Sequence, residues 1–195
     1  MKKMMIWNPG KKTAEKSKKI KKKKQKTAPT YPNIDKFLAV DTGGSCGWAY
    51  YADSVITSGV FNLVIRSTKK NPINYGNRYS RFYEALNQFK DAQAVFYENV
   101  VAHSGWAPAH SYGAYRGVLM LWCEDNNIPY FSFDVGTIKK HATGKGNSKK
   151  DLMIKEAQKY SKTITDDNEA DAFWILDLAR SSMNKGSIKC PKKKK

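Results

Sequence analysis

Three acids in this chain stand where strands and a helix can bring them together. Asp41 ends the apolar run Lys36–Thr42 (KFLAVDT), Glu98 ends a second run, Ala92–Tyr97, and Asp171 lies one turn into a C-terminal helix that Asp166 and Asp167 open. Asn168 and Asp167 precede Asp171 by three and four residues, which places them on its helix face. Carboxylates at the ends of adjacent strands, joined by one from a helix docked on the sheet, make an oxygen-rich cage. Hard divalent cations bind such cages, and Mg²⁺ takes one or two carboxylates per ion together with substrate phosphate. Two such ions about 4 Å apart clamp the attacking water and the leaving 3′ oxygen in phosphodiester hydrolysis.

Each acid also has a plainer reading. Asp41 precedes Thr-Gly-Gly and fits an Asx turn. Glu98 precedes Asn99 and fits a strand's exit to solvent. Asp166, Asp167 and Glu169 suit the positive end of any helix. Asp171 is harder to dismiss, because Ala172-Phe173-Trp174-Ile175-Leu176 follows without a polar break. A carboxylate on so apolar a helix is costly unless paired or bound to metal.

The elements that must position these groups follow from hydrophobic period and turn residues. Lys36–Thr42 reads as a buried strand, and Gly43-Gly44-Ser45 as a tight turn. Cys46–Ala52 and Ser54–Val64 read as two strands joined by a short turn at Ala52-Asp53, an antiparallel meander. Lys69–Gly76 is a polar loop. Asn77–Lys90 has helical spacing at Phe82, Ala85, Leu86 and Phe89. Ala92–Tyr97 is a strand, Val100–Pro108 a loop, and Ala109–Asn126 a long helix with Tyr112, Tyr115, Val118, Leu119 and Trp122 as packing residues. Tyr130–Phe133 is a short strand and Val135–His141 a short helix. Thr143–Ser148 is a Gly-rich loop, Lys149–Tyr160 a helix, and the last helix runs to Ser182. The order predicts an α/β domain, a mixed five-stranded sheet with helices on both faces.

Charge divides the chain in three. Twelve lysines against the single acid Glu15 give residues 1–30 a charge of +11, and six lysines give residues 185–195 +6. Residues 31–184 carry the remaining +1 of the net +18. The reading is one near-neutral domain, 31–184, with a disordered Lys-rich tail at each side. Blocks of like charge stay unfolded, and lysines that neutralise phosphates add salt-sensitive, sequence-independent affinity for a polyanion. A nuclear address or a lipid-headgroup patch has the same composition. The apolar runs are too short for the roughly 18 residues of a membrane span, and Met4–Trp7 is too short for a secretory core. Cys46, Cys123 and Cys190 are odd in number and lack CxxC spacing, which speaks against a disulfide framework or a cysteine zinc site and for a reducing, intracellular compartment.

The sequence resembles the RuvC-type Holliday junction resolvases of the ribonuclease H-like superfamily, and is most similar to their phage-borne branch. Leu38–Tyr51 (LAVDTGGSCGWAYY) is similar to the family's first hairpin, Asp-x-Gly with a later Gly. Val95–Gly117 is similar to its strand-ending Glu, loop, and helix bearing Arg-Gly. Val135–Met153 is similar to its Lys-bearing segment with Gly-x-Gly, and Asp166–Ala179 to its closing Ala-Asp-Ala helix. These stretches span nearly the whole predicted core.

The resemblance implies a crossover junction endodeoxyribonuclease that nicks branched DNA symmetrically and leaves 5′-phosphate and 3′-hydroxyl ends. It implies Asp41, Glu98 and Asp171 as catalytic acids on two Mg²⁺ ions, with Mn²⁺ as a substitute. The family's fourth ligand lies three residues before the last Asp, where this chain has Asn168. Either its amide oxygen ligates or Asp167 supplies the charge from the adjacent position, the second being favoured. Lys139 and Lys150 match basic residues at the scissile phosphate, where an ammonium meets the developing oxyanion. Lys140, Lys145, Lys149 and Arg116 extend the expected DNA contact. Where some relatives carry a wedging aromatic, this chain has Val101, and Trp106 is the nearest ring able to stack on a base. His103, His110 and His141 read as surface or helix-end residues. Ala109, Gly113, Ala114 and Gly117 would let helix 109–126 pair two copies, so that a two-fold dimer offers two sites to a four-way junction. The expected partners are thus branched DNA and a second copy, with no membrane. The setting is host cytoplasm or nucleoid, a nuclear one staying open.

Two other classes compete. Sugar-kinase-like phosphotransferases share the Asp-x-Gly hairpin but need a second half-domain for which 31–184 has no room. A non-catalytic DNA-binding protein would use the tails and make the three acids dispensable. A relaxed nuclease that cuts flaps and forks would share every motif with the resolvase.

Overall fold

β1 (Phe37–Asp41) is the strand from which the architecture grows. Its first four residues are buried, Leu38 and Val40 against one layer and Phe37 and Ala39 against the other. A strand covered on both faces reads as an unbroken apolar run, which is why FLAV carries no polar alternation. β2 (Ser45–Ala52) returns antiparallel beside it, and β3 (Val55–Asn62) pairs antiparallel with β2. The turn between them is Asp53-Ser54, with φ of 51° and 68°. Two consecutive left-handed residues make a type I′ turn, whose twist matches the flanking strands.

β4 (Ala94–Asn99) joins β1 in parallel on its other side, and β5 (Tyr130–Asp134) joins β4 in parallel, giving the order β3-β2-β1-β4-β5. The expected mixed five-stranded sheet with helices on both faces is the fold found. One face carries α1 (Tyr75–Leu86), a 3₁₀ turn at Asn87–Phe89, and α2 (Trp106–Asp125), packed through Phe82, Leu86, Tyr115, Leu119 and Trp122. The other carries α3 (Val135–Thr143), α4 (Lys150–Ala157) and α5 (Asp167–Asn184). The Trp174 indole donates to the Met153 carbonyl at 3.0 Å and ties α5 to α4.

The computed structural model describes residues 34–63 and 75–184. The Lys-rich tails, Cys190, the expected domain start at 31 and most of the loop at 69–76 lie outside the described residues. Among the described residues no helix is long and apolar enough to cross a membrane, and Cys46 and Cys123 are buried free thiols.

Several boundaries differ from the sequence reading, each for a physical reason. α2 begins at Trp106, not at 109, because Pro108 occupies its third position, where a backbone N–H has no helical partner to lose. Trp106 therefore opens a helix instead of sitting in a loop. β4 extends to Asn99, so Glu98 is a strand residue facing Phe133 in register. The helix expected over 77–90 is α1 followed by a tighter 3₁₀ turn, a usual way for a helix to end.

Candidate active site

Side chains alternate along a strand. With Phe37 and Ala39 on the α5 face, Asp41 points to that face too; with Ala94 and Phe96 there, so does Glu98. Val40 pairs with Tyr97, so Asp41 and Glu98 stand side by side one step further along the parallel pair.

The third acid arrives because α5 sits directly on the sheet. Gly47 is the residue of β2 opposite Asp41. A Cβ there would lie 1.9 Å from the Asn168 carbonyl oxygen and 2.3 Å from its carbon. Any side chain at 47 would therefore push the first turn of α5 off the strand. Two further ties hold that turn. The Ser58 hydroxyl of β3 donates to the Glu169 carboxylate at 2.6 Å. Asp166 caps the helix, its Oδ1 accepting from the Asn168 and Glu169 amides at 2.8 and 3.2 Å. Ala170 and Ala172, both fully buried, flank Asp171 and keep the approach close.

The electrostatics show that these groups share one field. Burial, then the neighbouring Glu98 and Asp171, push Asp41 well above the usual carboxylate range. Burial and then Asp171 raise Glu98 to about 7. Burial raises Asp171 to about 6, with Asp167 adding to the rise. Lys150 opposes the shift on all three acids, and Lys139 on Glu98 and Asp171. Among the described residues no hydrogen bond reaches any of the three carboxylates. Half-buried carboxylates that repel one another without a donor suit a hard cation. Among the described residues no three acids close around one point, so the arrangement is open. Mg²⁺ fits that too, since it keeps several waters and takes phosphate oxygens alongside one or two carboxylates.

The other expected residues divide. Lys150, first residue of α4, forms an ion pair with Asp167, their side chains 71% and 31% exposed. The Asn168 amide nitrogen is turned to the cap, donating to Asp166 at 3.0 Å. Lys139 is half-buried on α3, while Lys140, Lys145 and Lys149 are exposed. The loop bearing Lys145 is a small knot. Thr143 Oγ1 lies 2.5 Å from Ser148 Oγ, Ser148 donates to the Lys145 carbonyl at 2.9 Å, and Gly144 ends α3 at φ 79°. Arg116 is not brought to the acids; its guanidinium lies 5.5 Å over the Tyr97 ring on the opposite face. Trp106 is 76% exposed and meets the His110 ring edge-on at 5.3 Å. His141 is paired with Asp177 at 2.7 Å.

Sequence reasoning missed Gly47, Ser58 and Tyr112. The Tyr112 hydroxyl donates to the Glu98 carbonyl at 2.9 Å and accepts from the Val100 amide at 3.1 Å, pinning the backbone that carries Glu98. A glycine inside a strand pattern was the available signal for Gly47, since it marks a bulge or a close backbone approach.

No family model matches the chain. It is 31% identical over 117 residues to the Chlamydia muridarum protein named crossover junction endodeoxyribonuclease RuvC, covering 56% of this chain and 68% of that one. It is 26% identical over 155 residues to the protein of that name from Brachyspira hyodysenteriae, covering 76% and 94%. Against the Chlamydia trachomatis proteins of that name the match spans 62% of their length at 31% identity. The fold is that of T. thermophilus RuvC solved with a Holliday junction substrate, with a TM-score of 0.63 at 16% identity over 80% of this chain and 99% of that one.

Proposed function

The chain belongs to the RuvC family, and from that premise we propose that it is a metal-dependent endodeoxyribonuclease that resolves four-way DNA junctions by paired nicks. The observation that carries this reading is that Asp41 and Glu98 stand side by side on the sheet face that α5 covers, with Asp171 of α5 acting electrostatically on both.

Asp41, Glu98 and Asp171 are the carboxylates that would hold the metal. Bound there as a pair of ions, Mg²⁺ or Mn²⁺ supplies Lewis acidity that lowers the pKa of a water and steadies the leaving 3′ oxygen. The chain's own part is placement. The β1–β4 pairing fixes the spacing of Asp41 and Glu98, and the Gly47 contact fixes the height of Asp171. Lys139 and Lys150 hold the scissile phosphate and offset the charge that grows on its oxygens. Cleavage of the P–O3′ bond leaves a 5′-phosphate and a 3′-hydroxyl. Lys140, Lys145 and Lys149 extend the cationic surface for the DNA backbone, and the exposed Trp106 offers a ring to an unstacked base. The Lys-rich tails add general, salt-sensitive affinity.

The dimer reading rests on α2. A Cβ at Gly113 or Gly117 would meet nothing within 4 Å, and Leu121 is 56% exposed. That strip admits a second α2 at close range, and a two-fold pair presents two sites to strands of like polarity.

The test is cleavage of a synthetic immobile four-way junction, with a flap and plain duplex as controls. Wild type and Asp171→Asn are run with and without Mg²⁺. Paired symmetric nicks that vanish in the variant and without metal are the expected result. Equal cutting of flap and junction would reduce the reading to a branched-DNA nuclease, and tight binding without cutting would reject catalysis.

A further inference from the structure

Asp167 and Asp171 lie one turn apart at one helix end, yet their environments differ in kind. Asp171 is half-buried beside like charges, and its carboxyl is pushed up. Asp167 has a cation of its own: the Lys150 hydrogen bond holds its carboxyl below the usual range. Its Oδ2 is taken by that lysine, and its Oδ1 lies 3.5 Å from the Asn168 amide nitrogen. Asn168, at the family's fourth-ligand position, turns its amide nitrogen to Asp166 in the cap. We propose that Asp167 is the positioning carboxylate of Lys150, holding that ammonium at the end of α5 that carries Asp171, and that it is not a metal ligand. The inference rests on the metal-dependent reading above and assigns this chain's displaced acid a different task.

The surrounding structure favours an anchor. The backbone of α4 is fixed to α5 by the buried Trp174–Met153 bond, so what remains loose at Lys150 is its four-carbon stem. That stem has ample rotamer freedom, and Lys150 is the more exposed partner of the pair. A single exposed pair is worth little to stability, so its value lies in placement. The Lys150 charge opposes the upward shift of Asp41, Glu98 and Asp171, as well as holding Asp167 down. An ammonium has three donors. One is given to Asp167, and the others are free for a phosphate.

The test compares Asp167→Asn, Lys150→Met, the double variant and Asp171→Asn, in the full chain. Mn²⁺ affinity is measured by titration calorimetry, and single-turnover junction cleavage at saturating DNA. Asp167→Asn should keep its Mn²⁺ Kd within about twofold and lose about tenfold in rate, in the range of losing an outer-sphere partner. The double variant should be no slower than Lys150→Met, because the two residues act as one unit, and Asp167→Glu should regain most of the rate. Should Asn at 167 disturb the fold, Asp167→Ser repeats the comparison. A Mn²⁺ Kd weakened tenfold or more in Asp167→Asn, or rate losses that multiply in the double variant, would overturn the assignment. A wild type that binds no Mn²⁺, or Asp171→Asn binding like wild type, would instead remove the metal-dependent reading, and the inference with it.

Discussion

α5 and α2 lie on opposite faces of one sheet and are put to different uses. α5 is buried along Ala172–Leu176 without interruption and reaches β1, β2, β3, β4, α3 and α4. α2 buries one stripe, Tyr115, Leu119, Trp122 and Cys123, and leaves Gly113, Gly117 and Leu121 open. A helix that is apolar nearly all round belongs in the core, and a single stripe belongs at a surface. Charges on the first kind are costly unless paired or bound, whereas the open face of the second kind is available to a partner. Glycine shows the contrast at single-residue scale. At 47 it is required by the backbone of α5, while at 117 a Cβ would meet nothing.

The largest effect should come from the acids themselves. Asp41→Asn or Asp171→Asn should slow junction cleavage on the order of 10³-fold, equivalent to about 4 kcal/mol of barrier. Melting temperatures of the metal-free variants should hold or rise, since each loses a buried charge without a donor. A variant that cuts at a tenth of the wild-type rate would break the assignment.

Next comes the glycine pair. Gly47→Ala should destabilise by about 1–3 kcal/mol through overpacking and weaken Mn²⁺ binding, because the turn that carries Asp171 is displaced. Gly117→Ala should stabilise a monomer by up to about 1 kcal/mol through helix propensity. Denaturant melts of the two variants measure this directly, and equal effects would erase the contrast.

A smaller effect is expected from pH. The folded pKa values of Asp41, Glu98 and Asp171 lie above their unfolded ones. The folded state therefore binds more protons than the unfolded state at intermediate pH, and stability falls as pH rises from the unfolded values through about 7. Chelator-treated protein should melt higher at pH 5 than at pH 8, Glu98→Gln should flatten the slope, and Mg²⁺ should raise the melting temperature at pH 8. A melting temperature that climbs from pH 5 to 8 in the chelated protein would contradict the acid cluster. Smallest of all, Trp106→Ala should change stability by less than about 0.5 kcal/mol while weakening junction binding, as fits a ring that is 76% exposed.

Much of the candidate site was legible because its carriers are extreme. An apolar run that ends in an acid marks both Asp41 and Glu98, and an acid before five apolar residues marks Asp171. What stayed hidden depends on contacts between distant segments. Gly47 signals a close backbone approach but not which segment makes it, and Ser58 reads as an ordinary strand serine. Lys150 and Asp167 each look like a charge on a helix end, and their pairing exists only once α4 and α5 are docked. Pro108 misled the start of α2, because a proline reads as a breaker until its place in the first turn is known.

The most direct measurement is digestion of a supercoiled plasmid carrying an extruded cruciform, by wild type and by Gly117→Leu, with oligomeric state checked by sedimentation. Wild type should give linear DNA, the product of two nicks in one complex. The monomeric variant, its acids intact, should give nicked circles. Linear product from the monomer, or no product at all, would contradict the division between a face that cuts and a face that pairs.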